Sequence, residues 1–141
     1  AVISTTGKAS RELYEIREKK GGMNKADIMV VGSMGHVSSF SLGVALQSPK
    51  RKVYCLDGDG SLIMHMGALP TIGKYSSSNF RHILLNNFSH DSVGGRTVVP
   101  ISLIFHCSHK PFLIRIILKL GINLILKKFS LNLLSQKGLH F

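Results

Sequence analysis

Short apolar runs alternate with stretches of helical periodicity from the amino terminus onward, and glycine marks most of the changeovers. Val2 and Ile3 open the first run, a strand within residues 1–6 that Gly7 closes. Ser10 then stands as an N-cap for a helix reaching Lys20, with Leu13 and Ile16 on one face, Glu12 near the positive end and Gly21 past the last turn. Residues 21–25 read as a loop. Ile28 to Val31 form the second run, which Gly32-Ser33-Met34-Gly35 turns into a helix from His36 to Leu46, where Ser38, Ser39, Ser41 and Gly43 permit close packing. After the solvated turn Pro49-Lys50-Arg51, a third run covers Lys52 to Leu56 and meets Gly58-Asp59-Gly60. The helix beyond Ser61 turns Leu62, Ile63, Met66 and Leu69 inward. Pro70 interrupts it: an interior proline removes a hydrogen bond and clashes with the carbonyl of Met66, at about 3 kcal/mol, so this helix is expected to kink or end early. A fourth run, Ile83 to Leu85, delivers Asn86 and Asn87.

This alternation predicts an α/β fold, a doubly wound parallel sheet with flanking helices. The stretch from Val53 to Asn87 reads as a βαβ unit, whose crossover places both strand ends on the same edge of the sheet. Adjacent strands lie about 4.8 Å apart, so side chains just past those ends can reach a common ion. Asp59 offers a carboxylate, Asn87 an amide oxygen, and the Phe88-Ser89 loop a backbone carbonyl. Oxygen donors without Cys or clustered His suit a hard cation such as Mg²⁺, which keeps its other positions for water or substrate phosphate. One carboxylate against two positive charges leaves the site cationic, so its missing partner is an anion, most naturally a diphosphate. Gly58 and Gly60 let backbone approach such a ligand closely, and the N–H groups of Gly60, Ser61 and Leu62 open a helix. Ile63 stands where a dinucleotide fingerprint needs glycine, and no Gly-Lys-Ser/Thr follows, which excludes a P-loop.

Composition and charge narrow the range of partners. The chain has 141 residues, 44% of them hydrophobic, enough to build one core, and a formal charge of +11 that ordinarily points to nucleic acid or an anionic membrane. That charge is uneven: residues 1–100 hold 12 Lys/Arg and all 7 acids, whereas residues 101–141 hold 6 Lys/Arg and no acid. With no Trp, 3 Tyr and no interleaving of basic and aromatic residues, a nucleic-acid partner is not expected. Cys55 and Cys107 make no disulfide framework, and Cys55 falls in a strand, so a reducing, cytoplasmic compartment is expected. Ala1 at the start, without a secretory pattern after it, points to a processed product or a fragment.

Five blocks carry a family likeness: TTGKASREL from Thr5, VGSMGHVSS from Val31, KVYCLDGDG from Lys52, HMGALPTIG from His65 and NNFSHDSVGG from Asn86. Together, and with GDG and NN spaced as in the thiamine diphosphate motif, they resemble the C-terminal, diphosphate-binding domain of the thiamine diphosphate-dependent phosphonopyruvate and sulfopyruvate decarboxylases. The resemblance implies thiamine diphosphate and Mg²⁺ as cofactors and a 2-oxo acid as substrate, phosphonopyruvate being converted to phosphonoacetaldehyde and carbon dioxide. Asp59, Asn87 and the Ser89 carbonyl would hold the metal; Gly58, Gly60 and Ser61 would meet the phosphates, with Thr5 and Thr6 beside them. The turn at Gly32, Ser33 and Met34 would receive the aminopyrimidine, the Gly32 carbonyl taking its amino group and Met34 propping the ring. Helix capping for Thr5 and Thr6, and core filling for Met34, are the plainer alternatives. His90 could serve a proton or an anionic substrate group, or be an ordinary surface histidine; His36 and His65 are weaker candidates. Such enzymes draw an activating glutamate from a separate pyrimidine-binding domain, often of a facing subunit, so a partner chain or homo-oligomer is implied.

The likeness covers residues 1–100 and is expected to stop there, leaving a partial domain and a basic, apolar tail over 101–141. Within the tail Arg115, Lys119, Asn123 and Lys127 recur at i+4, which predicts a helix with one polar stripe. Over residues 111–129 it could lie on an anionic membrane surface or close the sheet as a makeshift core element. The tail is expected to be foreign to the family, and His106, Cys107 and His109 are too crowded for a standard zinc site. Two alternatives to a decarboxylase domain stand beside it: a non-catalytic isoform pairing with full-length subunits, and a basic membrane-surface protein acting through this tail.

Overall fold

Five parallel strands, side by side in the order Ile28–Val30, Val2–Thr5, Val53–Gly58, Phe80–Asn86 and Ile114–Leu118, make the sheet that carries everything else. The computed structural model describes residues 1–98 and the backbone of 114–118. In chain order the elements are β1 (Val2–Thr5), α1 (Lys8–Glu18), β2 (Ile28–Val30), α2 (Val37–Gln47), β3 (Val53–Gly58), α3 (Asp59–Met64), α4 (Leu69–Tyr75) and β4 (Phe80–Asn86). A small antiparallel pair, β5 (Ser89–His90) and β6 (Arg96–Thr97), follows, and then β7 (Ile114–Leu118).

Helices cover both faces of the sheet, which is why its central strands read as continuous apolar runs rather than alternating ones. On one face α1 lays Ala9 and Leu13 against Val2, Leu56, Ile83 and Leu85. On the other, Val37, Leu42 and Ala45 of α2 and Ile72 of α4 pack on Ile3, Val53, Cys55 and Phe80. The doubly wound expectation is met. Between β1 and β3 the winding reverses, and in open α/β sheets the crevice at the carboxyl ends of two such strands is where ligands bind.

Local details depart from the sequence pattern for identifiable reasons. The first helix starts at Lys8 with Gly7 as its cap, at φ 91°, so Ser10 is no cap. Ser10 instead turns inward, its hydroxyl donating to the Thr5 carbonyl at 2.6 Å and pairing with the Ser4 hydroxyl at 2.8 Å. β3 runs two residues past Leu56 to Gly58, so Asp59 follows the strand directly and opens α3. The helix expected beyond Ser61 does end early: α3 stops at Met64, a 3₁₀ turn spans Met66–Ala68, and Pro70 falls in the first turn of α4. There its missing N–H costs nothing, because first-turn N–H groups have no intrahelical partner.

The predicted tail helix meets a correction at Ile114–Leu118. This segment is a strand, parallel to β4, with Ile114 opposite His82 and Leu118 opposite Asn86. Its sequence, IRIIL, is rich in β-branched residues, and the pairing satisfies backbone groups along an edge of β4 that would otherwise be left open. Of the two uses foreseen for this tail, the segment follows the sheet-closing one, as a strand. Arg115 therefore lies in a strand rather than on a helical stripe. Lys119, Asn123 and Lys127, the remainder of the helix expected over 111–129, and His106, Cys107 and His109 lie outside the described residues. Among the described residues no helix is long and apolar enough to cross a membrane.

Candidate functional site

The carboxyl ends of β1, β3 and β4 open into one cleft, and the chain reaches it from each side. Thr5 and Thr6 arrive from β1, Gly58 to Ser61 from the junction of β3 with α3, and Asn87, Ser89, His90 and Asp91 from the loop after β4. Lys8 and Ala9 of α1, Met34 and Leu85 complete the wall.

Ser61 fastens three of these segments together. Its hydroxyl oxygen accepts from the Thr5 hydroxyl at 3.0 Å and from the Gly35 N–H at 3.1 Å, so the end of β1, the turn before α2 and the start of α3 share one buried atom. Gly35 has φ 89°, and a Cβ there would stand 3.2 Å from the Met64 Cβ, which makes glycine a requirement of this close approach. Gly60 is constrained from the other side: a Cβ would come within 2.7 Å of His90 Cδ2, so the imidazole rests on bare backbone. His90 Nδ1 is buried without a partner among the described residues.

Asp59 is buried at the floor of the cleft. One carboxylate oxygen accepts the Gly60 N–H at 2.9 Å, while the other is buried with no hydrogen-bond partner among the described residues. Desolvation raises its pKa above the usual carboxylate range, against the opposing pull of the Gly60 and Phe88 N–H groups and of the nearby His90. An orphaned carboxylate oxygen is what a cation would satisfy, and it fits an oxygen-only donor set.

The loop opposite is ordered by its own side chains. Asn86 Oδ1 accepts the Phe88 N–H at 3.0 Å and Asn87 Oδ1 the Ser89 N–H at 3.2 Å, turns that leave Phe88 at φ 57°. Asp91 collects the Asn87 amide N–H at 2.9 Å, the Ser89 hydroxyl at 2.6 Å and the Lys8 ammonium at 2.6 Å. These partners, Lys8 first and Ser89 next, hold its pKa below the usual range.

Ten of the twelve residues predicted for the site thus line one cleft: Thr5, Thr6, Met34, Gly58, Asp59, Gly60, Ser61, Asn87, Ser89 and His90. Gly32 and Ser33 stand apart on the exposed turn beside it, Gly32 at φ 84°. His36 and His65 face each other outside the wall, ring centroids 4.7 Å apart. Sequence reasoning passed over Lys8 and Asp91; their signal was one charge at the first helical position and another within the loop after the asparagines. It also passed over a buried cluster beneath the cleft, where Cys55, Asp57 and His82 bring potential ligand atoms within 4.8 Å of one another. In that cluster His82 Nδ1 is buried with no hydrogen-bond partner among the described residues. The His82 Nε2 and an Asp57 oxygen are already 3.1 Å apart, and burial pushes the Cys55 thiol well above its ordinary pKa, so it stays protonated.

A family profile described as "Thiamine pyrophosphate enzyme, C-terminal TPP binding domain" matches residues 5–118. The match passes residue 100, where the likeness was expected to stop, and takes in β7. The chain is similar to phosphonopyruvate decarboxylase of Streptomyces viridochromogenes, 45% identical over 96 residues, which is 68% of this chain and 23% of that protein. It is also similar to sulfopyruvate decarboxylase subunit beta of Methanocaldococcus jannaschii, 35% identical over 95 residues, 67% of this chain and 47% of that one. The chain therefore spans less than a quarter of the first relative and about half of the second.

Proposed function

Because the chain belongs to the thiamine pyrophosphate enzymes by their C-terminal TPP-binding domain, we propose that it seats the diphosphate of that cofactor through Mg²⁺ and serves decarboxylation of a 2-oxo acid. The reading rests on the unsatisfied, buried oxygen of Asp59, in one cleft with Asn87 and Ser89. Asp59, Asn87 and the Ser89 carbonyl hold Mg²⁺, and Gly58, Gly60 and Ser61 meet the phosphates beside Thr5 and Thr6. The exposed turn of Gly32 and Ser33, with Met34 in the cleft wall, receives the ring end. When bound, thiamine diphosphate supplies the nucleophile and electron sink for loss of carbon dioxide; the protein supplies position and electrostatics. His90, over the Gly60 backbone, is placed to hold a proton or an anionic substrate group.

The substrate favoured is 3-phosphonopyruvate, giving phosphonoacetaldehyde and carbon dioxide, because the phosphonopyruvate decarboxylase relative is the more similar of the two. The chain's glutamates, Glu12, Glu15 and Glu18, all lie on α1, outside the cleft wall. The activating glutamate therefore comes from a pyrimidine-binding domain elsewhere, in keeping with a relative named as a subunit, and the setting is cytoplasmic, where the buried Cys55 thiol stays reduced. Calorimetry with thiamine diphosphate and Mg²⁺ tests the reading. The wild-type chain binds both and Asp59→Ala binds neither measurably; equal binding by the two would overturn it.

A further inference from the structure

Asp91 has no part in the assignments above, yet three side chains converge on its carboxylate. One of its oxygens meets Lys8 Nζ at 2.6 Å and accepts from Asn87 Nδ2 at 2.9 Å; the other accepts from the Ser89 hydroxyl at 2.6 Å. Two of these partners are residues proposed to face the cation, and the third comes from α1 across the cleft.

The consequence lies in the chemistry of an amide. The two ends of an asparagine side chain have nearly the same shape, but only the oxygen can face a cation, and the NH₂ end would repel it. By drawing Asn87 Nδ2 to itself, the Asp91 carboxylate fixes which end is left for the ion, while the Ser89 N–H on Oδ1 holds the same orientation from the other side. Lys8 neutralises Asp91 and ties the loop to the first turn of α1. Partners one step removed from a metal orient its ligands in this way.

We propose that Asp91 is the positioning residue of the cation site, fixing the Asn87 amide and the loop around Ser89, with Lys8 as its counter-charge. This rests on the Mg²⁺ reading above, and its test separates the two. Mn²⁺ alone is titrated into the full chain by electron paramagnetic resonance, for wild type, Asp59→Ala, Asp91→Ala, Asp91→Asn and Lys8→Met. Asp91→Ala weakens Mn²⁺ binding by about 10- to 100-fold, as loss of such partners does. Asp91→Asn keeps an oxygen that can accept from Asn87 and stays within a few-fold of wild type; Lys8→Met falls between.

If Asp91→Ala leaves Mn²⁺ affinity unchanged while Asp59→Ala abolishes it, Asp91 has no positioning role and the cation site stands. If Asp91→Asn is as weak as Asp91→Ala, the carboxylate is itself a ligand and the proposal falls. If Asp59→Ala binds Mn²⁺ as wild type does, the underlying site is wrong. Asp91 is exposed, so its loss spares the core. Should Asp91→Ala nevertheless fail to fold, Asp91→Asn and Lys8→Met decide: an intermediate loss in Lys8→Met with near wild-type binding in Asp91→Asn supports the proposal, and the reverse order overturns it.

Discussion

Replacing His82 by leucine strands a buried carboxylate, and the expected loss follows from what surrounds it. Asp57 is fully buried near the end of β3, and among the described residues its oxygens have two partners: the Gly58 N–H at 2.9 Å and His82 Nε2 at 3.1 Å. His82, on β4 opposite Cys55, is 3% exposed, so water cannot take its place. Removing one member of a buried pair costs about 3–5 kcal/mol, because the other is left charged in a poorly solvating interior. Against a total stability of about 5–15 kcal/mol, and at about 4 °C or more of Tm per kcal/mol for a domain of this size, His82→Leu should melt at least about 10 °C lower. The decisive comparison is a second substitution on top of the first. Asp57→Asn in the His82→Leu background removes the charge, yet keeps an oxygen for the Gly58 N–H, so the double variant should be the more stable of the two. Thermal and urea unfolding followed by circular dichroism read both numbers. A double variant no more stable than His82→Leu would show that the unpaired carboxylate is not the source of the loss.

Ser61→Ala leaves the Thr5 hydroxyl and the Gly35 N–H without their shared acceptor; at about 1 kcal/mol for each lost bond, urea unfolding should show a loss of about 2 kcal/mol. Gly60→Ala places a methyl 2.7 Å from His90 Cδ2, so the ring must move; calorimetry should show weakened binding of thiamine diphosphate with Mg²⁺, and wild-type affinity would mean that the two groups are not in contact. Asp59 has a folded-state pKa raised by desolvation, so the folded chain binds its proton more tightly than the unfolded chain does. Its contribution to stability is then present below the ordinary carboxylate pKa, about 3.9, and is lost as pH rises through the raised value. Urea unfolding should show this decline without Mg²⁺ and a smaller one with it, because the cation stabilises the ionised form; an unchanged slope in Asp59→Ala would assign the decline to another group.

What could be read from the chain was whatever short-range spacing determines. Glycines at Gly7, Gly35 and Gly58 marked the strand-to-helix turns, and the span from Asp59 to Asn87 fixed a crossover long enough for parallel strands, which is why Asp59, Asn87 and Ser89 share one cleft; Thr5, Thr6 and Met34 were expected there from the family resemblance, not from spacing. The misplaced N-cap at Ser10 came from judging a serine by its type when its side chain points into the core. The Asp57–His82 pair did leave a trace. Val53, Cys55 and Asp57 alternate onto one face of β3, as Phe80 and His82 do on β4, so a period-two count places both polar groups inside. Nothing local could reveal Lys8 beside Asp91, since their contact is made by the fold and spans the cleft. At Ile114–Leu118 a run of apolar residues with one arginine fits either a helix or a buried strand, and pairing with β4, which the sequence does not encode locally, selects the strand.

On the proposed function, Asp59 and Asn87 share one divalent cation with the cofactor's diphosphate. The most direct test is the anomalous difference density of crystals grown with Mn²⁺ and thiamine diphosphate. A single peak is expected within bonding distance of the orphaned Asp59 oxygen and of Asn87 Oδ1, with a phosphate oxygen completing the contact. Manganese found away from Asp59, or a diphosphate seated in the cleft without it, would rule out a cation shared by Asp59 and Asn87.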